Sequence, residues 1–384
     1  MKHLVRIYHK DENKIPLINV PVIELTRRVL SCGTISAKGI FLLALYYIKL
    51  ILVMPSAFLQ FVFYSRRITK TVITKQPVFI LGHYRSGTTY LHKLMASDKR
   101  FGFLNNYDMI CPNSSLFFGK WLQNILQYLI NSLRIKTSFF NNKIPVLEEP
   151  AEEERFLINK GSAYTDYWRF VFPLCWNKWL SCSRQSKDPD YYKHWKNEYM
   201  SLLKQITFKN KGRQLVLKSP PNTERIKYLL EIFPDAKFIY IYRNPYHLFY
   251  SMRNLWNKAI RKFCLQKISD YQIEEIVFNE YAYLIEQYEK DKKLIPGENL
   301  IEIQYEALEA DPVSILKNIY EQLDFHDFEN VLDNFIQQLK KENKYKKFEY
   351  AYSEGTFKKI EKRWAKYIHH WKQKAAAVTL NEYV

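Results

Sequence analysis

Glycine is scarce in this 384-residue chain, at 10 positions, which excludes a collagen-like or linker-rich architecture. Cysteine is scarce too. Cys32, Cys111, Cys175, Cys182 and Cys264 are odd in number, and no two stand in C-x-x-C spacing. That excludes a disulfide framework and a thiolate zinc site, and it fits a reducing, cytoplasmic compartment. No internal repeat or low-complexity tract interrupts the chain. Acidic residues are outnumbered, 39 Asp+Glu against 58 Lys+Arg, for a formal charge of +19. Such a balance suits an anionic partner: nucleic acid, an acidic lipid surface or a polyanionic small molecule. Part of the excess is local, with twelve Lys/Arg and five Asp/Glu from Ile336 to Val384.

Apolar residues are plentiful, at 47% with 16% aromatic, enough for one large α/β domain or two small ones. The longest apolar stretch is GIFLLALYYIKLILVMPSAFLQFVFY, residues 39–64. A transmembrane helix needs ~20 such residues. Lys49 stands mid-run, Pro55-Ser56 breaks it, and no cleavage site makes it a signal peptide. Both flanks are basic: Arg27, Arg28 and Lys38 before, Arg66, Arg67 and Lys70 after. The pattern predicts a helical hairpin on an anionic membrane face, against a buried helical pair or a span.

Beyond it, short β-type runs alternate with helical patterns, the signature of a parallel sheet. Strands are predicted at QPVFIL (76–81), QLVL (214–217), KFIYIY (237–242) and NLIEIQYE (299–306). Helices are predicted from about Gly87 to Ala96, after a cap at Asn222 or Thr223, over 270–293 and over 314–323. The stripe Phe357, Ile360, Trp364, Tyr367 and Trp371 predicts a core-packed terminal helix.

Three strand ends carry chemistry. GHYRSGTTYLHKL (82–94) follows the first strand and has the glycine spacing of a phosphate loop. Thr88, however, stands where the lysine of G-x-x-x-x-G-K-[ST] belongs. Backbone N–H groups at a helix N-terminus bind an anion unaided. Gly82 and Gly87 allow close approach, Ser86, Thr88 and Thr89 add hydroxyls, and Arg85 adds a planar cation. LKSPP (217–221) puts Lys218 at the end of a second strand, facing the crevice where α/β sheets bind ligands. IYRNPYHLFYSMR (241–253) puts Arg243 at the end of a third, with Ser251 two turns on to grip a second phosphate. An ATPase would want an Asp there for magnesium; an Arg favours a metal-free anion site.

Together, GHYRSGTT, LKSPP and FIYIYRNPYHLFYSMR resemble the family of sulfotransferases that use 3′-phosphoadenosine-5′-phosphosulfate (PAPS). The likeness is to the bacterial branch related to tyrosylprotein and carbohydrate sulfotransferases, over roughly Gln76 to Trp371. QYEALEADP (304–312) and NKY (343–345), with Trp364 and Trp371, add to it. The resemblance implies a P-loop-like three-layer α/β fold, a central parallel sheet flanked by helices. An N-terminal apolar, membrane-associated helical segment (1–70) would precede a sulfotransferase domain (71–384). It implies that residues Arg85, Ser86, Gly87, Thr88 and Thr89 hold the 5′-phosphosulfate, and that Arg243 and Ser251 hold the 3′-phosphate. Arg85 would sit on the bridging oxygen, and Lys218 would stabilise the transferring sulfuryl group. PAP is the implied product, and no metal takes part.

The attacked hydroxyl must lose a proton. EEPAEEERF (148–156) offers Glu148, Glu149, Glu152, Glu153 and Glu154, and mutual repulsion is expected to raise their pKa values. Glu152 is the first choice of base, Glu154 the second, and His83, titrating near neutrality, the rival. In the protein-tyrosine branch that the chain resembles, the base follows the first helix, but the matching RFGFLNNYDMI has no Glu and only Asp108. His92 is expected to be packed. The aromatic stretch KGSAYTDYWRFVFPLCWNKWLSC (160–182) suits a sterol or lipid alcohol as acceptor. The expected setting is cytoplasmic, peripheral on the inner membrane face. A small-molecule P-loop kinase and a basic nucleic-acid-binding protein are the rival readings.

Overall fold

A computed structural model describes residues 20–33, 35–134, 146–162, 164–175, 189–342 and 354–381. Five parallel strands form its centre: β1 Val78–Leu81, β2 Phe101–Gly102, β3 Gln214–Lys218, β4 Lys237–Tyr242 and β5 Leu300–Gln304. Their order is β2-β3-β1-β4-β5. The helices that matter for the site are α1 Val20–Ser31, α2 Ala37–Lys70, α3 Thr88–Met95, α4 Ser115–Ser132, α5 Glu153–Lys160 and α6 Pro189–Lys209. After them come α7 Ile226–Ile232, α8 Pro245–Leu255, α9 Asp270–Asp291, α10 Tyr305–Ala310, α11 Pro312–Gln322, α12 Phe328–Glu342 and α13 Glu354–Asn381.

The expected α/β class and central parallel sheet are found. The central strands β1, β3 and β4 read as apolar runs because both faces are covered, whereas β5 at the edge alternates. Phe79, Leu81, Leu215, Leu217 and Phe238 point into a cluster with Trp195, Leu202 and Leu229 from α6 and α7. Val78, Ile80, Val216, Ile239 and Ile301 point the other way, onto Leu91, Leu316 and Phe335 from α3, α11 and α12. β2, two residues long, was not expected; its pairing with β3 is nonlocal and leaves no periodicity to read.

Two expectations are corrected. The apolar N-terminal stretch is not a hairpin: α2 runs unbroken through Pro55 for 34 residues. Asn222 and Thr223 do not cap a helix. They lie in a 3₁₀ turn, Pro220–Glu224, with their side chains turned inward, and α7 starts at Ile226 without a side-chain cap. The terminal aromatic stripe packs largely as expected, with Ile360 and Trp364 buried against Phe249, Phe278 and Tyr281, although α13 kinks at Trp364. NKY (343–345) lies outside the described residues.

Candidate active site

β1 ends at Leu81 and α3 begins at Thr88; the loop between them is where the sheet's carboxyl edge meets a helix N-terminus. Gly82 has φ 144°, and a Cβ there would lie 2.5 Å from the Ile241 carbonyl oxygen of β4. Gly87 has φ 100°, and a Cβ there would lie 2.2 Å from the Tyr305 ring. The loop is thus clamped between two neighbours that admit no side chain. Thr223 fastens its start, accepting from the Gly82 N–H at 2.9 Å and donating to the Gly82 carbonyl at 3.2 Å.

Arg85 adopts the left-handed region at φ 68°, a conformation non-glycine residues take mainly where surroundings impose it. Its carbonyl accepts from Arg243 Nη1 at 3.0 Å, and its own Nε donates to Ser251 Oγ at 2.9 Å. Three elements therefore bring Arg85, Arg243 and Ser251 together: the loop, the end of β4 and α8. The Arg243 guanidinium lies 4.3 Å over the Tyr305 ring, and its Nε is buried without a hydrogen-bond partner. Among the described residues neither guanidinium is in an ion pair. Two cations with donors to spare, one of them orphaned, are what a polyanion needs. Ser86 differs from expectation: its hydroxyl and its amide both donate to the His83 carbonyl, at 2.7 and 3.1 Å, so it shapes the loop. The remaining donors are the first N–H groups of α3, which have no intrahelical partner.

At the other end of the loop stands Lys218, the last residue of β3 and 2% exposed. Its Nζ donates to Thr89 Oγ1 at 3.2 Å and is paired with the Glu152 carboxylate. The acidic run is not a solvated surface. Glu148 is exposed, and Glu149 pairs with Lys93 at 3.0 Å. The next three turn inward around the start of α5, each to its own partner. Glu152 meets Lys218 and the Tyr167 hydroxyl. Glu153 accepts from the Lys218 backbone N–H at 2.9 Å and from Asn222 Nδ2 at 3.2 Å. Glu154 pairs with Arg225 and accepts from Thr165 Oγ1 at 2.6 Å and the Asp166 N–H at 3.0 Å.

These partners split the carboxyls. Burial alone would raise the Glu152 carboxyl, but the Lys218 and Arg155 charges and the Lys218 and Tyr167 hydrogen bonds hold it below the usual range. The expected mutual elevation therefore does not apply to it. Burial pushes Glu153 up to about 8. Glu154 has both oxygens committed and no exposure, so it is not brought to the crevice as a second base. His83 is also withdrawn. Its Nδ1 meets the Tyr84 carbonyl at 2.8 Å, its ring packs on Tyr281, and burial lowers its pKa to about 4. His92 packs against the Val216 carbonyl, as expected. Asp108 is held by Lys209 at 2.6 Å.

The family model described as "Sulfotransferase family" matches residues 77–330, which takes in every group just described. The chain belongs to the sulfotransferase family. It is accordingly a sulfuryl-transferring enzyme, and the kinase and nucleic-acid-binding readings fall away. Two curated relatives are omega-hydroxy-beta-dihydromenaquinone-9 sulfotransferases Stf3, from Mycobacterium bovis and Mycobacterium tuberculosis. Each is 28% identical over 315 residues, covering 81% of this chain and 79% of the relative. The fold is shared with sulfotransferase STF1 from M. tuberculosis, at TM-score 0.65 and 17% identity over 95% of this chain and 96% of that one. It is shared also with STF9 from Mycobacterium avium, at 0.64 and 16%, over 94% and 98%.

Several residues of this sulfotransferase's site were not singled out for it from the sequence. Tyr305 lies in the QYEALEADP stretch, where its motif context was visible but its stacking on Arg243 was not. Tyr167 lies in the aromatic stretch. Thr223 has the sequence signal of a cap and none of a loop fastener, and Arg225 has no local signal at all.

Proposed function

We propose that this sulfotransferase moves the sulfuryl group of PAPS to the hydroxyl of a long-chain, membrane-dissolved acceptor, releasing PAP on the cytoplasmic side. The observation that carries the reading is the position of Lys218 Nζ, bonded to Thr89 of the anion loop on one side and to Glu152 on the other. One cation thus joins a donor cradle to a proton acceptor.

The donor set fits PAPS at both ends. The α3 N-terminus with Thr88 and Thr89 suits a 5′-phosphosulfate, and Arg243 with Ser251 suits a 3′-phosphate, the orphaned Arg243 Nε adding a donor. Bound PAPS supplies a sulfuryl group on a phosphate leaving group. The Glu152 carboxylate takes the proton as the acceptor oxygen bonds to sulfur. Lys218 faces the charge that collects on the departing oxygen, as preorganised cations do in phosphoryl transfer, and Arg85 would turn from Ser251 to join it when the donor is bound. An anion beside Thr89 draws Lys218 away from Glu152. Glu152 then loses the charge that holds its carboxyl low and becomes a stronger base when the donor is in place.

An amphiphilic acceptor is supported by the wall beside Glu152. Tyr84, Tyr167 and Phe170 pack together there, and Trp168 and Phe172 lie behind, against α2. The curated relatives named for a hydroxylated menaquinone point to the same class. Residues 176–182 of the aromatic stretch lie outside the described ones. The test is incubation with sulfur-labelled PAPS and ω-hydroxylated isoprenoid quinols, sterols, phenols and glycans. Label should pass to the long-chain alcohols. Label passing only to glycans would overturn the acceptor class, and none passing despite PAP binding would overturn the reaction.

A further inference from the structure

Helix α2 is far too apolar on its outer side for water. Little of its most apolar stretch is buried. Phe41, Leu45, Ile48 and Leu52 recur at helical spacing along that side, with Leu59 and Val62 continuing the line, all exposed. Adjoining it, α4 exposes Trp121 and Tyr128. A contiguous apolar face of this size marks an interaction surface.

The inner side of α2 decides how the helix can sit. It is fastened to the domain from its first turn to its last. The Ser36 N–H bonds the Leu265 carbonyl at 2.9 Å. Leu42, Leu43, Tyr46 and Tyr47 pack on Trp168 and Phe172. Gln60 Oε1 accepts from the Leu116 N–H at 2.8 Å, Phe63 stacks on Phe117, and Lys204 reaches the Thr69 carbonyl at 3.1 Å. A helix held along its whole length cannot also be ringed by lipid. Its 34 residues, ~50 Å long, also exceed the ~30 Å hydrocarbon core.

The charge carried by the two helices has one sign. No Asp or Glu occurs from Leu25 to Ser97, nor from Cys111 to Leu147. Lys38, Lys49, Arg66, Arg67 and Lys70 on α2 and Lys120 on α4 are all exposed. An apolar stripe whose own two helices carry only cations complements an anionic bilayer. A self-complementary protein contact would set those like charges against each other.

We propose that α2 and α4 form the surface by which this enzyme lies on an anionic membrane, α2 in the plane of the interface and inserted to the depth of its outer stripe. The surface is one layer from the chemistry: α2 covers Trp168 and Phe172, and the preceding Tyr167 touches Glu152. A bilayer-dissolved acceptor would reach Glu152 along this wall; that route rests on the function proposed above, whereas the docking does not.

The test is sedimentation of the full chain with preformed vesicles of phosphatidylcholine alone or with 30% phosphatidylglycerol (about a third anionic, as a standard probe). Binding should be at least tenfold tighter to the anionic vesicles, weaken without vanishing in high salt, and reverse on carbonate washing. F41D/I48D/L52D should lose at least tenfold in binding to both compositions. R66E/R67E/K70E should lose only the preference for anionic lipid. Both variants should bind PAP and melt like the wild type, which separates failed docking from failed folding or donor binding. Wild-type protein that ignores both vesicle types while binding PAP would overturn the proposal. So would triple-Asp binding equal to wild type, carbonate-resistant insertion, or a stable lipid-free dimer dispersed by the triple-Asp change.

Discussion

Glu152→Gln separates the proposed chemistry from mere architecture. Glutamine keeps the volume; its one oxygen can still accept from Lys218 while its amide N–H donates to the Tyr167 hydroxyl oxygen, so the fold should survive. What is lost is the carboxylate. Deleting a general base typically slows turnover by ~10²–10⁴, or about 3–5 kcal/mol in the barrier. Donor binding should move the other way. Lys218 no longer faces a negative charge and is freer to turn to an anion at Thr89, so the KM for PAPS should stay level or fall. The assay is steady-state transfer of labelled sulfuryl to a long-chain alcohol, with PAP affinity by calorimetry. The acid limb of the kcat profile should vanish in the variant. A KM for PAPS that rises while kcat holds, or turnover within about threefold of wild type, would refute the assignment.

Arg85→Ala and Lys218→Ala should each fold normally and lose ~10²–10³ in kcat; near-normal turnover of both would remove them from the mechanism. Tyr305→Leu takes the aromatic shelf from under Arg243, a contact of order 1–2 kcal/mol, so PAP binding should weaken by about 5- to 30-fold, and Tyr305→Phe should restore it. Arg225→Met leaves the buried Glu154 and Asp166 carboxylates uncompensated and should destabilise by about 3–5 kcal/mol in denaturant melts. Glu153, raised to about 8 by burial, stabilises below the unfolded-state carboxyl range. That contribution falls away as pH rises toward about 8. Glu153→Gln should therefore raise Tm at pH 8 relative to wild type and flatten the slope between pH 5 and 8 (about 5 to 8, the window between the two pKa values).

How far the sequence reached is clear from particular residues. β1, β3 and β4 were legible because each is a buried apolar run leading directly into a residue with a job, β5 because it alternates at the sheet's edge, and strand ends in a parallel sheet share one edge. Arg85, Lys218 and Arg243 could be named for that reason. Which residue each one pairs with could not, because the pairings are nonlocal: Lys218 with Glu152, Arg85 with Ser251, Arg243 with Tyr305. The three glutamates show the limit best. Glu152, Glu153 and Glu154 read as one acidic run, yet each step around α5 turns the side chain about 100°. One reaches Lys218 at the crevice, one a backbone N–H, and one a buried arginine. Proximity in sequence said nothing about which would stay low and which would rise. Pro55 misled for a different reason: α2 runs unbroken through it, on an exposed turn, so a proline in the pattern did not end the helix.

The central claim, a metal-free sulfuryl transfer from PAPS to a long-chain alcohol, comes to one measurement. Sulfur-labelled PAPS and an ω-hydroxy isoprenoid in anionic vesicles should give labelled lipid and PAP in equal amounts, unchanged by EDTA and inhibited by added PAP. No labelled lipid from protein that binds PAP, or transfer abolished by EDTA, would contradict it.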